Sequence, residues 1–220
     1  MADWHGLDER ARRVLLDQLL ERLPPWLELL EVSAQPRFKD NRTGEGWRLF
    51  PGGAVTLGAT LERLERVEAF QRASPLTTFD PTVYLPAREV TVSPFLLMEQ
   101  VVFLGEDPRW FIVNAVKGVQ SVLKERGLRL PTEAEWEFAW WAVQGHREHW
   151  LPSTSELCAD GWRADLSGLE GLDPSIPDGP EVVRSSGFDP ARLESILPLR
   201  HPLSLMRVVS IRPALSLPPL

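Results

Sequence analysis

One segment constrains the folding of this sequence more than any other: residues 128–142, which carry a complete helix start. Thr132 is followed three residues later by Glu135. This is the pattern of a capping box, in which each side chain accepts a hydrogen bond from the other residue's backbone amide. Two faces of the following turns are apolar, with Ala134, Phe138, Trp141 and Ala142 on one and Trp136 and Trp140 on the other. The sequence therefore predicts a central helix that is buried on both sides.

The N-terminal part combines an amphipathic helix with a polar segment. Residues 7–23 repeat apolar side chains at three- and four-residue spacing, and Pro24-Pro25 ends the pattern because proline lacks an amide donor. A short apolar piece, Trp26 to Val32, follows. Residues 33–46 are polar and contain turn formers, so they predict a linker or exposed loop. The pattern leaves open whether the helix packs on its own chain or on a partner.

The remaining sequence predicts short elements joined by long loops. Trp47 to Gly58 indicates a hairpin or a strand-turn-strand unit around a Pro-Gly-Gly turn. Further helices are predicted at 61–70 and 114–126, the latter ended by Gly127, and strands at 83–98, 181–184 and 207–212. Short strands between long loops favour an irregular α+β domain over alternating βαβ units.

Composition narrows the function classes. The 220 residues are 43% hydrophobic, which is ordinary for a globular protein, and the net charge of −7 argues against a general nucleic-acid binder. The sequence contains no signal-peptide pattern and no apolar run long enough to cross a bilayer, so we expect no membrane span. Cys158 is the single cysteine, so no intramolecular disulfide can form. A cytoplasmic location is the expectation.

Residues 129–139 (RLPTEAEWEFA) resemble the most recognisable motif of the formylglycine-generating enzyme family (sulfatase-modifying factor), which also includes ergothioneine sulfoxide-synthase partner domains and many bacterial members. Its matched positions are Arg129, Pro131, Thr132, Glu133, Glu135 and Trp136. Weaker matches follow in the family's order, at 51–58, 88–95, 99–101, 108, 113–115, 156–162, 184–188 and 210–213.

The resemblance implies a domain over residues 47–214. It leaves 1–32 as a helical extension, 33–46 as a linker and 215–220 as a tail. It also implies a C-type-lectin-like α+β fold, loop-rich, with short sheets and two helices, to which the N-terminal helix is added.

This sequence lacks residues that the family uses to bind its catalytic metals. Active members use a cysteine pair in the C-terminal part to bind copper and activate oxygen, because two soft thiolates suit monovalent copper. Residues 184–214 contain no cysteine, and Cys158 lies in another segment. The iron-binding histidines of the ergothioneine type are also missing, since the N-terminus has only His5. No cofactor is therefore expected, and an expectation of copper, iron or calcium would rest on the family resemblance alone. Residues 143–180 are few compared with the same region of the family, which argues against the family's calcium-binding loops.

A second metal hypothesis rests on His146 and His149, which are spaced to share one helical face. With Cys158 or Asp160 they would provide zinc-type ligands. The alternative is a solvated helix end, with an inert buried thiol at Cys158. Asp160, like Asp165, Asp173 and Asp178, is expected to be a turn former rather than a calcium ligand. The helix cap is expected to account for Glu133, Glu135 and Glu137, which would otherwise suggest general acids.

These observations favour a pseudoenzyme: a non-catalytic binding or scaffolding module that engages a protein partner through loops on a rigid body. No residue is assigned a catalytic role. The candidate anchors for the partner are the large aromatic residues Trp140, Trp150, Trp162 and Phe188. One alternative is a metal- and oxygen-dependent oxidase with a rebuilt site at His146, His149 and Cys158. A carbohydrate-binding lectin is another, by analogy of fold. The sequence leaves the oligomeric state open.

Overall fold

The protein has an α+β fold, seen in a computed structural model that describes residues 8–33, 35–73, 84–103, 118–143, 155–162, 181–185, 199–202 and 210–217. The described helices are α1 (Glu9–Leu20), α2 (Leu61–Ala73), α3 (118–125) and α4 (Glu133–Ala142). All four coincide with helices that the sequence predicts. Three of them lie within residues 47–214, where the family resemblance implied two.

The described strands form two five-stranded sheets and one strand pair. The strands are β1 (Leu27–Glu31), β2 (Arg37–Asp40), β3 (Gly46–Phe50), β4 (Gly53–Leu57), β5 (Arg88–Val92), β6 (Phe95–Met98), β7 (Val102–Phe103), β8 (Ser155–Gly161), β9 (Glu181–Ser185), β10 (Leu199–Pro202), β11 (Ser210–Ile211) and β12 (Ala214–Ser216). The first sheet has the order β1-β2-β3-β6-β12, the second β10-β9-β8-β11-β7, and β4 pairs with β5.

The first sheet corrects two predictions. Strand β2 lies inside residues 33–46, so the linker or exposed loop predicted there is wrong for Arg37–Asp40. The polar composition was misleading because only every second residue of β2 is buried: Phe38 and Asp40 face inward. At the other end, β12 includes Leu215 and Ser216, which pair with β6. Residues 215 and 216 therefore belong to the sheet rather than to a tail.

Helix α1 covers one face of the first sheet. Leu16 and Leu19 are buried against Phe38, Trp47 and strand β6. The Asp8 carboxylate caps the helix by accepting from the Ala11 amide at 2.8 Å. The helix thus packs on its own chain, which resolves the alternative that the sequence left open.

Segment 47–58 contains two strands that do not form a hairpin. Strand β3 pairs with β2 and β6, whereas β4 turns away and pairs with β5. The turn between them has Gly52 at φ +74° and Gly53 at φ +138°, backbone angles that favour glycine. The strand-turn-strand form of the prediction is confirmed, and the hairpin form is wrong.

Helix α4 lies in the main core, as its two apolar faces predict. Trp136, Ala139 and Trp140 are each at most 1% exposed and pack with residues of β4, β5, β6, β8 and β9.

The chain leading to α4 leaves α3 through Gly127 at φ +70°. There the Gly127 amide donates to the Lys124 carbonyl and the Leu128 amide to the Leu123 carbonyl. This is the Schellman arrangement of a helix C-terminus.

Within the described parts of the chain, no helix combines the length and apolar character needed to span a membrane.

Candidate functional site

An open cleft lies between strand β4 and the C-terminal half of α4. Its volume is about 410 Å³, which is within the range of ligand-binding pockets. The cleft is lined by Gly52, Gly53, Ala54, Val55, Thr56, Arg63, Phe138, Trp141 and Ala142. One wall is therefore mostly backbone of a strand, the other is apolar and aromatic, and one cation stands between them.

The direction of the backbone groups along β4 follows from the contacts of Arg63. Its Nη1 donates to the carbonyls of Thr56 and Gly58, at 3.4 and 2.9 Å. Because Arg63 lines the cleft and is not part of the ladder with β5, the Thr56 carbonyl points to the edge of β4 away from β5. Successive strand residues point their hydrogen-bonding groups to opposite edges. By the same alternation, Ala54 points its N–H and C=O to this outer edge.

Arg63 of α2 is fixed from three sides. Besides the two carbonyls, its guanidinium lies 4.0 Å from the centroid of the Trp141 ring, a cation–π arrangement. The Glu137 carboxylate is 3.7 Å from Nη1, which is an ion pair but too long for a hydrogen bond. Burial lowers the pKa of Arg63, and the charge of Glu137 offsets part of this effect.

A network of buried charges lies directly behind the cleft. Arg184 of β9 donates to Glu137 at 2.6 Å and to Glu133 at 2.9 Å, and Arg200 of β10 also donates to Glu133. Of these side chains, Glu133 is the most exposed, at only 7%. Charges buried this deeply require partners, because their hydration is lost. The network ties α4 to the second sheet and fixes the position of Glu137 beside Arg63.

The two carboxyl groups of this network have opposite pKa shifts. Burial raises the pKa of Glu133, but Arg200 and Arg184 outweigh burial, so its pKa is below the ordinary value. Burial dominates at Glu137, and its pKa is above the ordinary value although Arg184 opposes the shift. Burial lowers the pKa of Arg184, yet Glu137 and Glu133 raise it above the ordinary value. Glu133 therefore ionises at a lower pH than Glu137.

Another buried ion pair lies nearby and joins the two large sheets. Arg212 donates twice to Glu156 of β8, from Nε at 2.8 Å and from Nη2 at 2.9 Å. Its Nη1 donates to the Met98 carbonyl of β6 at 3.0 Å. The Trp136 indole also donates to Glu156, at 3.1 Å. These contacts give Trp136 a structural role in the motif.

The capping box is present as the sequence predicts. The Glu135 amide donates to the Thr132 hydroxyl at 3.1 Å, and the Thr132 amide donates to Glu135 at 2.9 Å. Arg129 adds two bonds of 2.6 Å to the same carboxylate, and the Pro131 carbonyl accepts from the Ala159 amide of β8. The cap does not account for Glu133 and Glu137, however. That expectation is wrong, because distant arginines bind both.

The structure also corrects the list of aromatic anchors. Trp140 is fully buried in the core and has no surface to offer a partner. Trp162 is half-buried, packs against the same core, and has the Arg200 guanidinium 4.4 Å from its ring centroid. Trp150 and Phe188 lie outside the described residues. Two other aromatic residues, Phe138 and Trp141, line the cleft between β4 and α4.

The metal candidates are only partly described. Cys158 of β8 is fully buried, and burial raises the pKa of its thiol well above the ordinary value, with Asp160 adding to the shift. His146 and His149 lie outside the described residues. Asp160 is a buried strand residue that accepts from the Glu133 amide, so the turn-former interpretation is wrong for it. The described residues contain no group of three or more potential metal ligands.

Sequence reasoning missed Arg63, Arg184 and Arg200. One signal was available for Arg184, which directly follows two valines in the strand predicted at 181–184. A charged side chain at such a position needs a buried partner. Arg63 offered no such signal, because α2 alternates acidic and basic residues along its length.

Comparison with known proteins adds one finding about the fold. No family model and no curated protein sequence matches the chain. Among solved structures, the chain is similar to the structure of PvdO from Pseudomonas aeruginosa, with a TM-score of 0.56 and 15% sequence identity. The match covers 81% of this chain and 97% of that chain. At this identity the likeness shows a shared fold and nothing further.

Proposed function

We propose that the chain is a divergent relative of the formylglycine-generating enzyme family, with a C-type-lectin-like fold, and that it is a non-catalytic module that binds a protein partner. The family assignment is supported by residues 129–139, whose capping box and Arg129–Glu135 pair hold α4 in the core. The lectin-like fold is supported by the small sheets packed around α4.

The cleft between β4 and α4 is the recognition surface in this proposal. The observation that carries it is the combination of an outward-facing strand edge, a wall formed by Phe138 and Trp141, and a positioned cation, Arg63. Strand edges and partly exposed aromatic side chains are features that proteins use to bind other chains. The buried thiol of Cys158 has no access to a substrate in the cleft and supports binding rather than turnover.

Site-specific photo-crosslinking tests this proposal. A benzophenone amino acid replaces Ala54 in the full chain, which is expressed and irradiated in its native cells, and adducts are identified by mass spectrometry. The control carries the same residue at Val14, an exposed position of α1 that does not line the cleft. We expect one protein adduct that forms from position 54 and is absent from position 14. Equal adduct patterns at the two positions would contradict the proposal.

A further inference from the structure

We propose that the occupant of the cleft is an extended peptide segment of the partner, which pairs with Ala54 on the outer edge of β4 and places a carboxylate against Arg63. This inference rests on the proposed function and specifies the chemistry of its partner. The partner segment would be an acidic strand rather than a helix or a folded surface.

The first argument is the state of the β4 edge. Ala54 is exposed, and its N–H and C=O point away from β5. Within the described part of the chain, neither group has a hydrogen-bond partner at this outer edge. One strand residue with both groups available forms a pair of hydrogen bonds with an added antiparallel strand. Further along the chain, the carbonyls of Thr56 and Gly58 already accept hydrogen bonds from Arg63, so an added strand can pair with β4 only around Ala54.

Arg63 supplies the second argument, which is charge. Only Nη1 of its guanidinium donates hydrogen bonds to described residues, leaving Nε and Nη2 without an acceptor there. The Glu137 carboxylate does not serve as that acceptor, because its approach to the guanidinium, 3.7 Å from Nη1, is beyond hydrogen-bond distance. A carboxylate is the group that a guanidinium with two unused donors binds best, since the pair forms two parallel charge-assisted bonds.

The third argument is the apolar wall. Phe138, Trp141 and Ala142 face the cleft beside β4. An extended peptide presents alternate side chains to the same side, every second residue. A strand paired with Ala54 would therefore direct alternate side chains to this wall. These residues predict a peptide that carries apolar side chains at alternate positions and one acidic residue near Arg63.

Selection from a peptide library tests the predicted partner. The full chain is panned against phage-displayed random dodecapeptides, and the strongest binder is synthesised with a fluorescent label. We expect enrichment of Asp or Glu at one fixed position between alternating apolar residues. Replacing that acid by its amide is expected to weaken binding about tenfold, because the charge-assisted pair with Arg63 becomes a neutral hydrogen bond.

Two protein variants assign the charge effect. Arg63→Gln should lower the affinity for the acidic peptide about tenfold and leave the affinity for the amide peptide unchanged. The effects of the protein substitution and of the acid-to-amide change are then non-additive. Arg72→Gln alters the same helix at an exposed position outside the cleft and should change neither affinity. Equal weakening of both peptides by Arg63→Gln would contradict the carboxylate contact.

Strand pairing is tested on the peptide and on the protein. Single N-methyl groups placed along the peptide should abolish binding only where an amide faces Ala54, and leave its neighbours on either side active. Ala54→Pro removes the outward amide of β4, whereas Thr91→Pro makes the matched change on the opposite edge of the pair. Binding should be lost in the first and kept in the second. N-methyl scanning needs no folded variant and so remains decisive if Ala54→Pro unfolds.

The outcomes separate this inference from the proposed function. Peptides that bind the cleft without an acidic preference, or with no N-methyl effect, overturn the inference and leave a binding module. An adduct from position 54 with no enriched peptide means that the partner is a folded surface, and this also overturns the inference alone. The absence of both adduct and peptide contradicts both proposals.

Discussion

At the scale of residues, the buried carboxylates of α4 depend for their stability on the arginines that bind them. Glu133, at the start of α4, is an anion held by Arg184 and Arg200, while Glu137 one turn later receives only part of that support. Replacing Glu133 by Gln removes one partner of a buried pair. Such changes cost about 3–5 kcal/mol at neutral pH, because they leave buried charge without compensation.

The cost of Glu133→Gln should depend on pH in a defined direction. Because the pKa of Glu133 is below its ordinary value of 4.5 in the folded protein, the folded state binds fewer protons than the unfolded state. Its contribution to stability is present above that value and is lost as the pH falls below it. Urea unfolding measured between pH 7 and pH 3 should therefore show the free energy of unfolding of wild type falling toward that of Glu133→Gln as the pH is lowered. The control Glu28→Gln, at an exposed position, should show the same pH dependence as wild type. If the free energies of unfolding of Glu133→Gln and wild type changed in parallel with pH, the lowered pKa of Glu133 would be contradicted.

Cys158 gives a second prediction at this scale. Its thiol is fully buried, and its pKa is raised, so little reactive thiolate is present in the folded protein. With Ellman's reagent at pH 8, we expect negligible reaction of the native protein and one equivalent of reactive thiol in guanidinium chloride. Rapid modification of the native protein would reopen the hypothesis that this residue has a chemical role.

At the scale of elements, the two described threonine caps allow a matched comparison. Thr132 caps α4 with a reciprocal bond from Glu135, whereas the Thr60 hydroxyl accepts from the Arg63 amide of α2 at 3.3 Å, and an arginine cannot return the bond. Thr132→Ala should cost about 1–2 kcal/mol and Thr60→Ala less than about 1 kcal/mol, measured by chemical denaturation. A larger loss at Thr60 would show that the α4 box is not the stronger cap.

Prediction from sequence succeeded where local chemistry determines the element. The cap at Thr132, the proline stop after α1 and the glycine end of α3 all act within a few residues, and each is readable from the sequence. Pairing between strands was not readable, because β3 and β4 are neighbours in sequence yet join different sheets. Strand β2 was missed for a different reason: its inward Asp40 is bound by Arg42 two residues away, so burial does not require an apolar residue there.

The candidate site was predicted least well, since it is assembled from distant segments. The cleft joins β4, α2 and the end of α4, and the network behind it adds Arg184 and Arg200 from two further strands. Nothing local in Arg63 distinguishes it from other arginines of α2. Its position over Trp141 depends on how α2 and α4 pack, and periodicity does not specify that packing.

On the scale of the whole molecule, the first sheet has a core on each face. Leu96 and Met98 of β6 pack with α1, while Phe95 and Leu97 of the same strand pack with α4. Neighbouring residues of one strand therefore serve both clusters, as the alternation of a pleated strand requires. Gln35 adds a direct link by donating to the Ala142 carbonyl at the end of α4. We therefore expect a disturbance on the α1 side to reach the α4 core.

This arrangement predicts that α1 unfolds together with the rest of the described core. Leu16 is 0% exposed, so Leu16→Ala should cost about 2–5 kcal/mol, whereas Val14→Ala, at a position 51% exposed, should change stability by less than about 0.5 kcal/mol. In Leu16→Ala, helix content followed by circular dichroism and core packing followed by tryptophan fluorescence should fall at one shared, lowered denaturant midpoint. If α1 were instead an independent extension, circular dichroism would show an early transition, accompanied by the fluorescence of Trp47, which packs against α1. The rest of the fluorescence change would then keep the wild-type midpoint, because the tryptophans around α4 would keep their packing.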